Sequence, residues 1–214
     1  MSVTVITAVR NAVRFLRRFF DRKTARHGHD QDFMNAHFFV RSGYEYYANA
    51  RFAMHAQGSY VCGNLFHHAV EMLLKAGLAK SGAPLEGLQR MGHNLKRLWR
   101  AYKRKHPTAA LSRHDRTINR LDKHEDIRYP DPTLGSIGVS MEWSGEPGAV
   151  TTYGGMKSPK QYAVVVSDID DLVADIVRTS SWNPGAIVGN NDTALEAIRR
   201  YNRHADFLTH GKIP

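Results

Sequence analysis

The sequence has a single cysteine, Cys62, among 214 residues. An intrachain disulfide therefore cannot form, and we expect the chain in a reducing, cytoplasmic compartment. It lacks any run of about 18 apolar residues, the length that a membrane-spanning helix requires. It also lacks the phosphate-binding GxxxxGK[ST] loop, a GxGxxG turn after a strand and the HExxH helix of zinc proteases. The sequence thus predicts no membrane span, no cofactor and no metal site.

Acidic residues are scarce: 20 Asp and Glu stand against 30 Lys and Arg, which gives a net charge of +10. This balance favours polyanionic partners such as RNA, DNA or an acidic membrane surface. It is equally compatible with a protein that charge repulsion keeps soluble, because net charge bears on association rather than on fold. The length and the 42% apolar content suit one globular domain, or one domain with an appendage.

Residues 1–30 are predicted to form a basic amphipathic helix followed by a linker. One arc of the helix is apolar, and the opposite arc carries arginines at positions 10, 14, 17, 18 and 22. Such a helix can pack on its own chain, dock on a partner, or lie on an anionic membrane surface. The sequence leaves these alternatives open. The following segment, HGHD at 27–30, is interpreted as solvated linker.

Apolar residues at helical spacing predict an all-α bundle over residues 31–181. Residues 182–214 are predicted to add a C-terminal helix that packs on this bundle. The individual helices are expected at 32–56, 64–82, 93–105, 109–125, 167–182 and 191–208.

The segment 136–153 interrupts the helical pattern. IGVSMEW alternates apolar and polar residues strictly, SGEPG is typical of a turn, and AVTTY is typical of a second strand. The sequence therefore predicts a β-hairpin inserted between helices.

The helix at 64–82 carries polar side chains within an otherwise apolar pattern. Glu71 and Lys75 lie four residues apart, in the order that favours a helix-stabilising ion pair. His68 lies three residues before Glu71 on the same face, so the carboxylate can hold its imidazole. We predict that His67, His68 and Glu71 form a structural polar seam rather than a catalytic group.

Three motifs follow one another along the chain with the order and spacing of a known family. They are an A-x-E-x-x-L-K-A helix core, a G-H-x-L-x-x-L helix start and a closing Leu-Asp…Arg-Tyr-Pro-Asp segment. The matching residues are Ala69, Glu71, Leu74, Lys75 and Ala76; Gly92, His93, Leu95 and Leu98; and Leu121, Asp122, Arg128, Tyr129, Pro130 and Asp131. Over residues 32–181 the chain resembles the HEPN domain (higher eukaryotes and prokaryotes nucleotide-binding).

The resemblance implies an up-and-down helical bundle that pairs as a homodimer. It also implies RNA or nucleotide binding, RNA cleavage, or a role in toxin–antitoxin and defence systems. A small nucleotidyltransferase or an antitoxin is the partner that the family would predict. The alternatives are a dimeric interaction protein anchored by its N-terminal helix, and a metal-independent endoribonuclease toxin.

Nuclease members of the family carry an arginine, then four to six residues, then a histidine on a late helix. There the arginine stabilises phosphate charge and the histidine moves a proton. At the matching helix of this chain, only three residues separate Arg120 from His124, and Arg128 follows, so these three are the catalytic candidates. Pairs with the family spacing occur elsewhere, at Arg100 and His106, Arg199 and His204, and Arg203 and His210.

Candidate RNA- or nucleotide-binding residues lie around the helix at 93–105, which has a dense Lys/Arg face. They are Lys75, His93, Lys96, Arg97, Arg100 and Lys103. Cationic side chains on one helix face are the arrangement that contacts phosphates. The leading interpretation is an RNA- or nucleotide-binding helical protein.

Overall fold

The computed structural model describes residues 34–56, 59–107, 109–127, 137–145, 160–188 and 192–211. The predicted amphipathic helix at 1–30 lies outside these ranges. Within them the protein is mostly helical, with one two-stranded sheet. None of the helices in the described ranges combines the length and apolarity needed to cross a bilayer.

Four helices form the first half of the bundle. They are α1 (34–55), α2 (Ser59–Lys80), α3 (Leu85–Met91) and α4 (Leu95–Lys105). After α2, Gly82 adopts a φ of 83°, a left-handed conformation that favours glycine. Asn94 caps α4, because its side chain accepts the backbone N–H of Arg97. The predicted helices at 32–56, 64–82 and 93–105 correspond to α1, α2 and α4, whereas α3 was not predicted.

The predicted helix at 109–125 is divided into three pieces. A 3₁₀ helix (Ala109–His114) leads into α5 (Asp115–Asp122), and a second 3₁₀ helix (Lys123–Ile127) follows. His124 lies in the second 3₁₀ helix and is buried, as are Ile118 and Leu121 of α5.

The sheet pairs β1 (Ile137–Glu142) with β2 (Lys160–Val165) in parallel, from Ile137 opposite Lys160 to Glu142 opposite Val165. The predicted strand at IGVSME is confirmed. The β1–β2 pair is not the predicted hairpin, because the two strands of a hairpin are antiparallel, whereas a parallel pair needs a longer crossover. The observed partner strand lies later in the chain, and the predicted partner at 149–153 lies outside the described residues. Val164 and Val165 at the end of β2 are β-branched, a side-chain type that favours strands.

The remaining helices are α6 (Val166–Thr179), α7 (Pro184–Val188), α8 (Asp192–Arg199) and α9 (Ala205–His210). The single helix predicted at 191–208 is wrong, because the chain turns at 200–204 and Tyr201 has a φ of 55°. At this turn the Asn202 side chain accepts the His204 N–H and donates to the Tyr47 hydroxyl. These local bonds replace the helical hydrogen bonds. The C-terminal segment packs on the bundle through Ile198 and Leu208.

Arg51 of α1 fastens this C-terminal segment to the bundle. The Arg51 side chain is 0% exposed, and its Nη1 lies 2.6 Å from both carboxylate oxygens of Asp170 on α6. Its Nε donates to the Ala197 carbonyl at 2.7 Å, and its Nη2 donates to the Arg200 carbonyl. The Tyr47 hydroxyl donates to the same Asp170 carboxylate. One buried guanidinium thus joins α1, α6 and the end of α8.

Candidate nucleic-acid interface

Helix α4 separates an apolar face from a strongly basic one. Its buried residues are Leu95, Leu98, Trp99, Ala101 and Tyr102. The rest of the helix consists of six cations: Lys96, Arg97, Arg100, Lys103, Arg104 and Lys105. No acidic residue lies in this helix to offset them. Because the apolar face fixes the rotation of the helix, the cations must face outward.

A groove of about 330 Å³ runs between α4 and α5. It is lined by Lys96, Trp99, Arg100 and Lys103 from α4 and by Asp115, Ile118 and Asn119 from α5. We call this the basic groove. It brings together three of the predicted binding residues, and Arg97 lies exposed on the same helix. The sequence offered no signal for the α5 wall, because that wall depends on how two helices pair.

Two carboxylates hold the lysines of the basic groove in place. Lys103 Nζ lies 2.7 Å from Asp115 Oδ1, and the Trp99 indole N–H donates to the same oxygen. Burial alone would raise the pKa of Asp115, but these two hydrogen bonds lower it below its usual value. At the other end, Lys96 Nζ lies 3.1 Å from Asp122 Oδ2. The lysines are therefore positioned, and their charges are partly balanced.

The arginines of α4 are paired differently. Arg97 Nη1 donates to the Arg90 carbonyl, and Arg100 Nε donates to the Lys96 carbonyl. Neither bond neutralises the guanidinium, which retains further N–H donors. An exposed guanidinium with unused donors is suited to a phosphate, which it can bind through two parallel hydrogen bonds. The arginines therefore supply the stronger anion-binding groups of this face.

Trp99 limits what the basic groove can recognise. Its side chain is 3% exposed and stacks on Tyr102 with ring centroids 5.9 Å apart. Lys103 Nζ lies 5.6 Å from the centre of the indole ring. A ring covered in this way offers no open face on which a base could stack. The groove consequently presents charge and hydrogen-bond donors rather than an aromatic platform.

Lys75 and His93 belong to a different part of the molecule from the basic groove. Lys75 is buried, and its Nζ lies 2.6 Å from Glu71 Oε1, so its charge is used inside the fold. His93 lies in the turn before α4, with Nδ1 3.0 Å from Glu71 Oε2. His68 Nδ1 lies 3.3 Å from the same oxygen. The predicted pairing of Glu71 with His68 and Lys75 is confirmed, and His93 joins it.

Hydrogen bonds from its neighbours keep the Glu71 carboxylate ionised. Burial acts to raise its pKa, but hydrogen bonds from His68, Lys75 and His93 outweigh burial and lower the pKa to about 2. His67, which we predicted in the same seam, faces elsewhere. Its ring nitrogens lie 3.0 Å from the carbonyl oxygens of Leu121 and His93.

His124, the first catalytic candidate, is 0% exposed. Its ring packs against Gly63, where an added methyl group would collide with it, and against the Tyr162 ring. Arg120 lies 3.6 Å from the Asp168 carboxylate, and Arg128 lies outside the described residues. A side chain with no exposed surface cannot reach a phosphodiester, so His124 and Arg120 are not assembled as an accessible pair in this conformation.

The pair at Arg199 and His204 is not brought together either. Arg199 Nη2 lies 3.2 Å from His210, and His204 contacts other partners. His204 Nε2 lies 2.8 Å from Asp171 Oδ1, and its Nδ1 lies 3.3 Å from Arg178 Nη2. Both ring nitrogens are engaged, which leaves no free position for proton transfer in this arrangement.

In the two remaining arginine–histidine pairs with the family spacing, the side chains also bind other groups of the fold. For Arg100 and His106, the His106 Nε2 lies 3.1 Å from the Ser81 hydroxyl. For Arg203 and His210, the arginine binds an aspartate of α6 at 2.7 Å, and the histidine contacts Thr209 Oγ1 at 2.8 Å. Among the described residues, the family spacing therefore occurs without an open arginine–histidine site.

Comparisons with known proteins found no family model, no curated protein and no solved structure that matches the chain. The resemblance to HEPN domains thus rests on the three ordered motifs.

The buried His124 predicts how stability depends on pH. Burial, followed by the neighbouring His67, lowers the pKa of His124 to about 4 from its usual 6.5, although a backbone contact with Ala163 acts the other way. The unfolded chain therefore takes up a proton first, and stability should fall as the pH drops from about 6.5 towards 4. We expect this histidine to remove about 2 kcal/mol between pH 7.5 and pH 5.

Urea denaturation at these two pH values measures the effect. His124→Gln should show a smaller loss of stability on acidification than the wild type. An unchanged pH dependence in the variant would mean that His124 is not the neutral buried group described above.

Proposed function

We propose that the protein is a HEPN-like RNA-binding protein, and that it holds RNA on the basic face of α4 and in the basic groove. The observation that carries the proposal is the gathering of six cations on one 11-residue helix whose opposite face is buried. The net charge of +10 and the family resemblance support the same partner.

The spread of these charges favours a polymer over a single nucleotide. From Lys96 to Lys105 the helix rises about 14 Å, at about 1.5 Å per residue. The exposed Arg97, Arg100 and Arg104 lie along this length. A charge array that is longer than one phosphate can neutralise several phosphates of one strand, and each contact releases counterions.

The mode of recognition follows from what the groove exposes. Because Trp99 is covered, bases find no stacking surface there, and the contacts go to the sugar–phosphate backbone. Such contacts position a strand without reading its sequence. We therefore propose binding of RNA with little sequence preference.

The proposal does not extend to cleavage. His124 is buried, and both ring nitrogens of His204 are engaged, so neither is presented as a general acid or base. The family resemblance further implies a homodimer and a nucleotidyltransferase or antitoxin partner, and we include both in the proposal.

Fluorescence anisotropy with a labelled single-stranded RNA, titrated between 50 and 200 mM KCl in EDTA, tests the proposal. Four phosphate contacts would give a slope of about −3 in log K against log salt. The RNA should be recovered intact, since no cleavage is proposed. An excess of ATP should compete poorly. Absence of RNA binding at 50 mM KCl would overturn the proposal and favour the interaction-protein alternative.

A further inference from the structure

Glu71 of α2 is the meeting point of three nitrogen-bearing side chains. The carboxylate is fully buried, and both of its oxygens have nitrogen partners. Oε1 accepts the short hydrogen bond from Lys75. Oε2 faces His68 Nδ1 at 3.3 Å and His93 Nδ1 at 3.0 Å, and the same His93 nitrogen lies 3.1 Å from Oε1. We call His68, Glu71 and His93 the Glu71 cluster.

We propose that the Glu71 cluster is a zinc-binding site. The inference goes beyond RNA binding and does not depend on it. Two imidazoles and one carboxylate form a donor set that zinc uses, and catalytic zinc sites in proteins commonly have three protein ligands and one open position. Nothing in the sequence pattern indicated this site, because His93 lies 22 residues from Glu71.

The spacing of the donor atoms fits one bound ion. One ligand atom from each side chain lies within 4.8 Å of the others. In a tetrahedral site with bonds of about 2.0–2.1 Å, neighbouring ligand atoms lie about 3.3 Å apart. The two nitrogen-to-oxygen distances, 3.3 and 3.0 Å, are close to that separation. Two of the three donor separations thus match a tetrahedral site, and the third, between the two imidazole nitrogens, lies within 4.8 Å.

The surroundings orient the donors. Lys75 Nζ donates to Oε1, and Oε2 is the oxygen that lies near both imidazoles. His67 Nε2 lies 3.0 Å from the His93 carbonyl oxygen and thereby holds the turn that carries this ligand. Outer contacts of this kind fix ligand geometry in metal sites. The ammonium of Lys75 also repels a cation, so we expect a weaker site than one with a neutral neighbour.

The site is open on one side. The His93 side chain is 52% exposed, whereas Glu71 is 0% exposed, so solvent reaches the cluster from the His93 side. This opening provides the entry path and the room for a fourth ligand, such as water. A bound ion would join α2 to the turn that precedes α4. Zinc should accordingly stabilise the fold by binding the native state alone.

The experiment measures zinc affinity by competition with a chromophoric chelator, using the full chain. All proteins carry His27→Gln and His29→Gln, because the HGHD segment is a separate candidate for adventitious zinc. His93→Gln removes the exposed ligand, and His210→Gln, at another exposed histidine, is the matched control. Removal of a ligand should weaken zinc binding by more than the roughly tenfold to hundredfold seen for outer-sphere changes. The control should bind as the parent does.

Cobalt substitution and thermal melting complete the test. Cobalt bound to the parent should give the intense visible absorption of a tetrahedral site, and zinc should raise its Tm but not that of His93→Gln. If His93→Gln fails to fold, His68→Gln replaces it. Zinc binding that is absent in the parent, or equal in the ligand variants, would overturn the proposal and leave the cluster as a hydrogen-bonded seam.

Discussion

Replacing Arg51 with methionine should destabilise the protein by about 3–5 kcal/mol, the cost of leaving a buried charge without its partner. The Asp170 carboxylate would lose the Arg51 Nη1 group, which lies 2.6 Å from both of its oxygens in a site where both side chains are almost fully buried. The carbonyls of Ala197 and Arg200 would lose their guanidinium donors as well. Urea denaturation followed by circular dichroism measures the change.

Arg41→Met is the matched control on the same helix. Arg41 is exposed and, within the described part of the chain, forms an ion pair with the exposed Glu45, so its replacement should change stability by less than about 1 kcal/mol. The double variant Arg51→Met/Asp170→Leu should recover part of the loss, because no uncompensated charge remains. Equal stability of Arg51→Met and Arg41→Met would contradict the structural role that we assign to Arg51.

Neutralising the basic face should weaken RNA binding and flatten its salt dependence. In Arg97→Gln/Arg100→Gln/Lys103→Gln, three phosphate contacts are lost, so the slope of log K against log salt should become shallower by about 2. Raising KCl from 50 to 200 mM should then cost the wild type about 20-fold more affinity than the variant. Anisotropy titrations on both proteins provide the comparison.

A second triple variant tests whether RNA binding depends on the α4 surface or on the net charge of the protein. Arg41→Gln/Arg199→Gln/Arg200→Gln removes the same number of charges from exposed positions on α1 and at the end of α8. It should keep a slope close to that of the wild type. If the two triple variants lose slope equally, RNA responds to overall charge, and α4 is not its binding surface.

Local periodicity predicted the elements that have one apolar face. Apolar residues that repeat with the period of a helix or a strand predicted three elements: the helices at 34–55 and Leu95–Lys105 and the strand at Ile137–Glu142. The basic face of α4 could be predicted for the same reason. A helix that buries Leu98 and Tyr102 must expose Arg97 and Arg100.

The errors arose where tertiary contacts override local pattern. The strand paired with a later segment in parallel, and no periodicity encodes that choice of partner. The helix predicted at 191–208 broke because Asn202 bonds to Tyr47, a residue far away in sequence. Similarly, His124 is buried within a 3₁₀ helix, and the spacing of an arginine and a histidine in the sequence does not reveal whether the histidine is buried. The Glu71 cluster could not be predicted because its third member, His93, lies outside α2, in the turn before α4.

Lysine footprinting in the presence of RNA tests the central claim most directly. Acetylation of the full chain, with and without single-stranded RNA at 50 mM KCl, is followed by mass spectrometry of each lysine. The account predicts that RNA protects Lys96, Lys103 and Lys105 on α4, whereas Lys80, which is exposed at the end of α2, reacts equally in both samples. Protection of Lys80 with no change at the three α4 lysines would contradict the proposal that RNA binds on α4.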